Sequence, residues 1–149
     1  MKVSTRVEYG LIALTDIAIN SENGNAVSSA DISERQNISQ KYLEQIIIGL
    51  RQGGFVRGQK GSRGGYVLSR PADKIYLCDI LNALDNSILA DVAENGGEDA
   101  GGIRSSVNSC LWDKLNGYMR RFTERMTLAD LISEYRDNSD KKENYMYYI

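Results

Sequence analysis

Glu44, Gln45 and Ile48 stand close together on one stretch of chain, and Lys60 and Arg63 follow within a run of glycines. A carboxylate, an amide and a branched apolar side chain do not make a catalytic set. They do match what base-pair edges offer: Gln45 can pair with adenine, Glu44 can accept from a cytosine amine, and Ile48 can pack on a thymine methyl. Cations on a narrow glycine tip neutralise phosphates or enter a minor groove closed to bulkier loops. Between Ser39 and Arg70 there are six basic residues and one acidic, in a chain whose net charge is -2.

The elements that would hold these groups follow from local pattern. Ser39 is an N-cap signal, and a helix over Gln40 to Gln52 puts Leu43, Ile46, Ile47 and Leu50 on one face. At 100° per residue Lys41, Gln45, Ile48 and Gln52 point the other way, with Tyr42 and Glu44 at the flanks. Gly53-Gly54 stops the helix. Residues 55–57 and 65–68 then read as two strands joined by a tip from Gly58 to Gly64, and Pro71 closes the hairpin. Gly58, Gly61, Gly64 and Gly65 are expected to supply positive φ and close backbone approach. A short helix from the Ser28 cap to about Gln36, turning through Asn37-Ile38-Ser39, completes a winged helix-turn-helix. Ser39, Gln40, Lys41 and Tyr42 join Glu44, Gln45, Ile48, Lys60 and Arg63 as expected DNA contacts. Thr5 and Arg6 are expected phosphate contacts at the start of a first helix, opened by a Thr5/Glu8 capping box and running to about Asn20. Its apolar stripe is Val7, Leu11, Leu14 and Ala18, widened by Ile12, Ile17 and Ile19.

Beyond Pro71 the pattern predicts a helix over about 77–84, a mobile glycine-rich acidic loop from Asn86 to Asn108, and a long amphipathic helix. Leu111, Leu115, Tyr118 and Phe122 mark the apolar face of that helix. Packed on its twin, it would set two winged modules apart in a C2 homodimer reading a palindromic duplex. Thr127 to Asp130 caps a last short helix ending near Tyr135, and residues 137–144 read as disordered. The fold class is therefore mainly α with a small β-wing. The expected divisions are a winged domain at 1–72, a connecting and dimerisation region at 73–136, and a flexible tail at 137–149.

Composition narrows the function classes. Residues 1–70 hold nine Lys/Arg and six Asp/Glu, whereas residues 71–149 hold nine and fourteen, so a polyanion would meet the front half. The chain has no histidine, phosphate loop or Gly-x-Ser-x-Gly elbow, which argues against an enzyme. No apolar run of bilayer length and no signal core are present, and two cysteines are too few for a disulfide framework. The chain reads as cytoplasmic, with no membrane partner and no metal site.

The segment YLEQIIIGLRQGGFVRGQKGSRGGYVL, with STRVEYGLIALTDIA before it and TLADL after it, resembles the Rrf-two family of bacterial winged-helix regulators. The resemblance covers nearly the whole chain and implies a homodimeric transcriptional regulator. Lys60 sits where many members carry a wing arginine, and Arg63 replaces a wing glycine. One branch of the family senses iron–sulfur chemistry through three cysteines in the loop before the dimerisation helix. Here residues 86–109 contain no cysteine, and Cys78 and Cys110 stand elsewhere. No cofactor is expected on that ground, a four-thiolate cluster being available only by sharing across a dimer. The ending Tyr-Met-Tyr-Tyr-Ile resembles the cysteine-metabolism repressor (CymR) branch. That likeness implies a repressor of cysteine and sulfur-assimilation genes, with O-acetylserine sulfhydrylase (cysteine synthase) as partner. Tyr147, Tyr148 and Ile149 would be the docking residues, since a pocket with backbone amides can take a C-terminal carboxylate and its side chain. The alternative is an iron–sulfur or thiol redox-sensing regulator of the same family.

Overall fold

The computed structural model describes residues 2–92 and 100–148. Among them seven α-helices and one hairpin follow the order α1 (Thr5–Asn20), α2 (Ser29–Gln36), α3 (Gln40–Gln52), β1 (Val56–Gln59), β2 (Gly65–Leu68), α4 (Leu77–Leu84), α5 (Ile103–Val107), α6 (Asp113–Arg125) and α7 (Leu128–Tyr147). The expected fold class, mainly helical with a small wing, is the one observed.

Capping decides where the front helices begin. Ser4, not Thr5, caps α1 by accepting from the Val7 N–H, so Thr5 is already helical. Ser28 caps α2 through Asp31 N–H, and Ser39 caps α3 through Tyr42 N–H. Asn37 takes the left-handed conformation (φ 53°) that ends α2 and turns the chain into α3. Leu43, Ile46, Ile47 and Leu50 are buried as the helical period requires, against Leu14 and Ile17 of α1 and Ile32 of α2. Burying each such side chain is worth about 1.5–3 kcal/mol before entropy is counted.

One polar group lies inside this apolar junction. The Asp16 carboxylate, 4% exposed, accepts from Arg35 Nε at 3.0 Å, Arg35 Nη2 at 2.6 Å and Gln36 Nε2 at 2.8 Å. This joins α1 to α2 and fixes the angle at which the helix-turn-helix is presented.

The hairpin is antiparallel, with Val56 opposite Leu68 and Gln59 opposite Gly65. The strands run further than the sequence suggests, so Gly58 lies inside β1. Of the four wing glycines only Gly61 has positive φ (148°), which corrects the expectation for Gly58, Gly64 and Gly65. Gly65 has a different task. Val27 and Tyr66 exchange both backbone hydrogen bonds (2.9 and 2.8 Å), and a Cβ on Gly65 would stand 2.5 Å from the Val27 carbonyl. The wing is thus clamped to the entry of α2.

The back half departs more from expectation. Ile75, Leu77, Ile80, Leu84, Leu128 and Ile132 belong to the same core as the winged module. Leu128 N–H donates to Ile75 O and Leu77 N–H to Met126 O, so the core continues past residue 72. The expected mobile loop is only partly a loop. Arg120 donates to Leu89 O and pairs with Asp91 at 3.0 Å, pinning its first part on α6. Its middle, residues 93–99, lies outside the described residues. Its last part is helical, because α5 begins at Ile103 and joins α6 through a π-helical stretch at Asn108–Trp112. Helix α7 continues for 20 residues to Tyr147 where a short helix and disordered tail were expected. The Thr127/Asp130 capping box starts it, and no proline or glycine follows to stop it.

Candidate nucleic-acid interface

The outward side of α3 carries the expected groups. Lys41, Glu44 and Gln45 are exposed, and Ile48 is 53% exposed although it lies between buried Ile47 and Gly49. Tyr42 is half-buried, edge-on to Tyr9 with ring centroids 6.0 Å apart, so only part of it faces outward. Ser39 and Gln40 are exposed at the first turn. Lys60 and Arg63 are exposed on the wing, and among the described residues neither cation is drawn into an ion pair.

Wing and helices meet in a cleft of about 500 Å³ lined by Ser28, Ser29, Arg51, Lys60, Gly64 and Tyr66, among others. Two cations, two serine hydroxyls and glycine backbone around one concavity suit a phosphate-bearing strand. Ser29 and Arg51 were not singled out by the sequence pattern. Ser29 is hidden beside the Ser28 cap signal, and Arg51 is one of many helix-end cations. Only their convergence with Lys60 distinguishes them.

Arg6 departs from its expected role. It is half-buried, its Nε donates to Leu84 O at 3.0 Å, and a Cβ on Gly49 would meet its Nη2 at 2.8 Å. The guanidinium fastens α1 to the end of α4, where the helix dipole favours a cation, and fills the notch Gly49 leaves on α3. Thr5 is exposed beside it.

The expected dimerisation residues Leu111, Leu115, Tyr118 and Phe122 are 45%, 44%, 64% and 63% exposed. Ile103 and Val107, missed in the sequence because they fell within an expected loop, extend the same apolar line at 72% and 45%. Tyr147 and Tyr148 are 89% and 92% exposed at the end of α7, and Ile149 lies outside the described residues. Cys110 is exposed in the π-helical stretch. Cys78 is half-buried, and burial, with Asp79 next, pushes its thiol pKa up.

Residues 3–134 match the family described as "Rrf2: Iron-dependent Transcriptional regulator". The chain is 36% identical over 137 residues to the HTH-type transcriptional regulator IscR of Cereibacter sphaeroides, covering 89% of this chain and 87% of that one. Among solved structures, CymR (YrzC), the global cysteine regulator of B. subtilis, superposes with a TM-score of 0.73 at 30% identity, over 90% of this chain and 98% of that one. The oxidized form of Staphylococcus aureus CymR gives 0.68 at 30% identity, over 89% and 96%.

These likenesses overturn the expectation of no cofactor, since the matching family is described by its iron dependence and the similar sequences include several IscR regulators. Such a group needs a set of ligands held together. Among the described residues no three His, Cys, Asp or Glu stand together as a metal site, so this part of a single chain does not by itself fit one. No helix among them is long and apolar enough to cross a membrane. An outward polar face on α3, a cationic wing locked beside it and a family match spanning residues 3–134 lead to one conclusion: the chain belongs to the Rrf2 family of winged-helix transcriptional regulators.

Proposed function

We propose that this chain is a non-enzymatic, homodimeric transcription factor that binds palindromic DNA in the cytoplasm and changes its occupancy with thiol redox state. The carrying observation is the shared cleft of Arg51, Lys60 and Ser29 beside the exposed Glu44, Gln45 and Ile48. Glu44, Gln45 and Ile48 read bases, with Lys41, Tyr42 and Gln40 at the groove edge. Lys60, Arg63, Ser39 and Thr5 hold backbone or minor groove. The apolar line from Ile103 to Phe122 packs on its twin, placing two modules across an inverted repeat. Residues 1–72 act as the reading module and the helices after residue 73 as the assembly module.

The redox input is supported by the family's iron dependence and by the oxidized form recorded for a neighbouring CymR. Cys110 is the thiol open to it, being exposed on the helix that carries the apolar line. The test is titration of a palindromic duplex, taken from DNA that co-purifies with the protein, before and after peroxide treatment. Metal content is measured on the same anaerobically prepared sample. Affinity should change at least several-fold on oxidation and recover with dithiothreitol, and Cys110→Ser should remove the change. Equal affinity in both states defeats the redox input, and absence of any duplex binding defeats the whole reading.

A second reading is a repressor of cysteine and sulfur-assimilation genes with O-acetylserine sulfhydrylase docked on the C-terminus. It is favoured by the likeness to the global cysteine regulator and by the exposure of Tyr147 and Tyr148. Calorimetry with that enzyme decides it. Binding abolished by deleting residues 147–149 supports it, and absence of heat from the intact chain ends it.

A further inference from the structure

We infer that Ser29, the first residue of α2, is a specificity-positioning residue: together with Gln40 it holds the Glu44 carboxylate in the pose from which that group reads a base. The inference rests on the proposed reading of DNA by Glu44. Three side chains from two helices meet on the outward face. The Ser29 hydroxyl donates to Glu44 Oε1 at 3.4 Å, and Gln40 Nε2 donates to the same oxygen at 3.3 Å and to Ser29 Oγ at 3.5 Å. Each bond is long. Their convergence on one oxygen is what selects a rotamer.

The neighbouring serines divide the work. Ser28 is the N-cap of α2, accepting from Asp31 N–H at 3.1 Å. Ser29 is therefore not needed to cap the helix, and its hydroxyl reaches across to α3. Fixing a glutamate side chain costs it rotamer freedom, so a pose is kept only where partners hold it. Left loose on an exposed helix face, the carboxylate would sample several rotamers. Held at Oε1, beside the positive end of α2, it offers Oε2 to an incoming donor. A fixed acceptor accepts from the cytosine amine and is repelled by the acceptor atoms of guanine and by thymine O4. A mobile one discriminates less.

The experiment is selection of preferred duplexes from a library randomised across both half-sites, using the full-length chain and its Ser29→Ala, Ser29→Thr, Gln40→Ala and Glu44→Ala variants. Melting temperature and helical circular dichroism are measured alongside. Glu44→Ala should lose the preference at one base pair per half-site. Ser29→Ala should lose several-fold of the preference at that same pair, keep the others and melt as the parent does, while Ser29→Thr restores it and Gln40→Ala weakens it in part. Parental preference at that pair in Ser29→Ala, with Glu44→Ala altered, overturns the positioning role and leaves the reading by Glu44 standing. Parental preference in Glu44→Ala overturns both. A uniform loss at every base pair assigns Ser29 to the phosphate contact of the cleft, a lowered melting temperature assigns it a structural role, and either result overturns the inference.

Discussion

Arg35 meets Asp16 through two parallel hydrogen bonds, Nε to Oδ2 at 3.0 Å and Nη2 to Oδ1 at 2.6 Å, across the junction of α1 and α2. The pairing is asymmetric in exposure, the Asp16 side chain being 2% and the Arg35 side chain 39% exposed. Gln36 and Asn20 satisfy the remaining carboxylate positions. Removing Arg35 would leave a buried carboxylate with neutral donors only. Breaking a fully buried pair costs about 3–5 kcal/mol, and the solvent already reaching Arg35 lowers that figure. Arg35→Ala should therefore destabilise the chain by about 2–3 kcal/mol in urea titration. A loss below about 0.5 kcal/mol would show that the pair does not hold the junction.

Gly65 and Gly58 face each other's strands but differ in what they can tolerate. A methyl on Gly65 would collide with the Val27 backbone at 2.5 Å, whereas one on Gly58 meets nothing within 4 Å. Backbone atoms cannot yield as a flexible side chain can, so Gly65→Ala should cost about 3 kcal/mol or detach the wing from α2. Gly58→Ala should stay within about 0.5 kcal/mol of the parent. Hydrogen exchange at the Val27 and Tyr66 amides distinguishes the two, with protection disappearing only in Gly65→Ala.

As the proposed phosphate contacts, Lys60 and Arg63 would act through charge, and their effect would then depend on salt. For every phosphate left without its cation, the slope of log affinity against log salt should shrink by about 0.9. Lys60→Ala and Arg63→Ala should weaken binding similarly on every duplex sequence and flatten that slope. Lys141→Ala, an exposed cation on α7 far along the chain, is the comparison that should leave both unchanged. Unaltered slopes in both wing variants would remove the wing from the interface.

The two thiols should separate by pH. Burial and then Asp79 raise the Cys78 pKa, so its thiolate fraction at neutral pH lies below that of an ordinary thiol and grows only at higher pH. Cys110 is exposed. Iodoacetamide near neutral pH, followed by mass spectrometry, should label Cys110 many-fold faster, and raising the pH should narrow the gap. Asp79→Asn removes a negative neighbour and should speed Cys78. Equal rates at both sites would contradict the burial of Cys78.

Local pattern determined α3 completely. The period of Leu43, Ile46, Ile47 and Leu50 leaves Gln45 and Ile48 no face but the outward one, and Ser39 and Gly53 bound the helix through backbone groups a few residues away. The family likeness was legible for the same reason, since its motifs are contiguous. Tertiary structure decided what depends on residues distant in sequence. Arg6 looked like a free cation until Leu84 and Gly49 were brought to it. Gly65 looked like a turn glycine until Val27 came against it. Ser29 looked like part of a cap until α3 carried Glu44 alongside it. Helix α7 overran its expected end because helix stops are read from glycine and proline, and a polar stretch lacking both carries no such signal. The motifs are contiguous and place the chain among the winged-helix regulators, whereas the contacts of Arg6, Gly65 and Ser29 arise between elements that no spacing encodes.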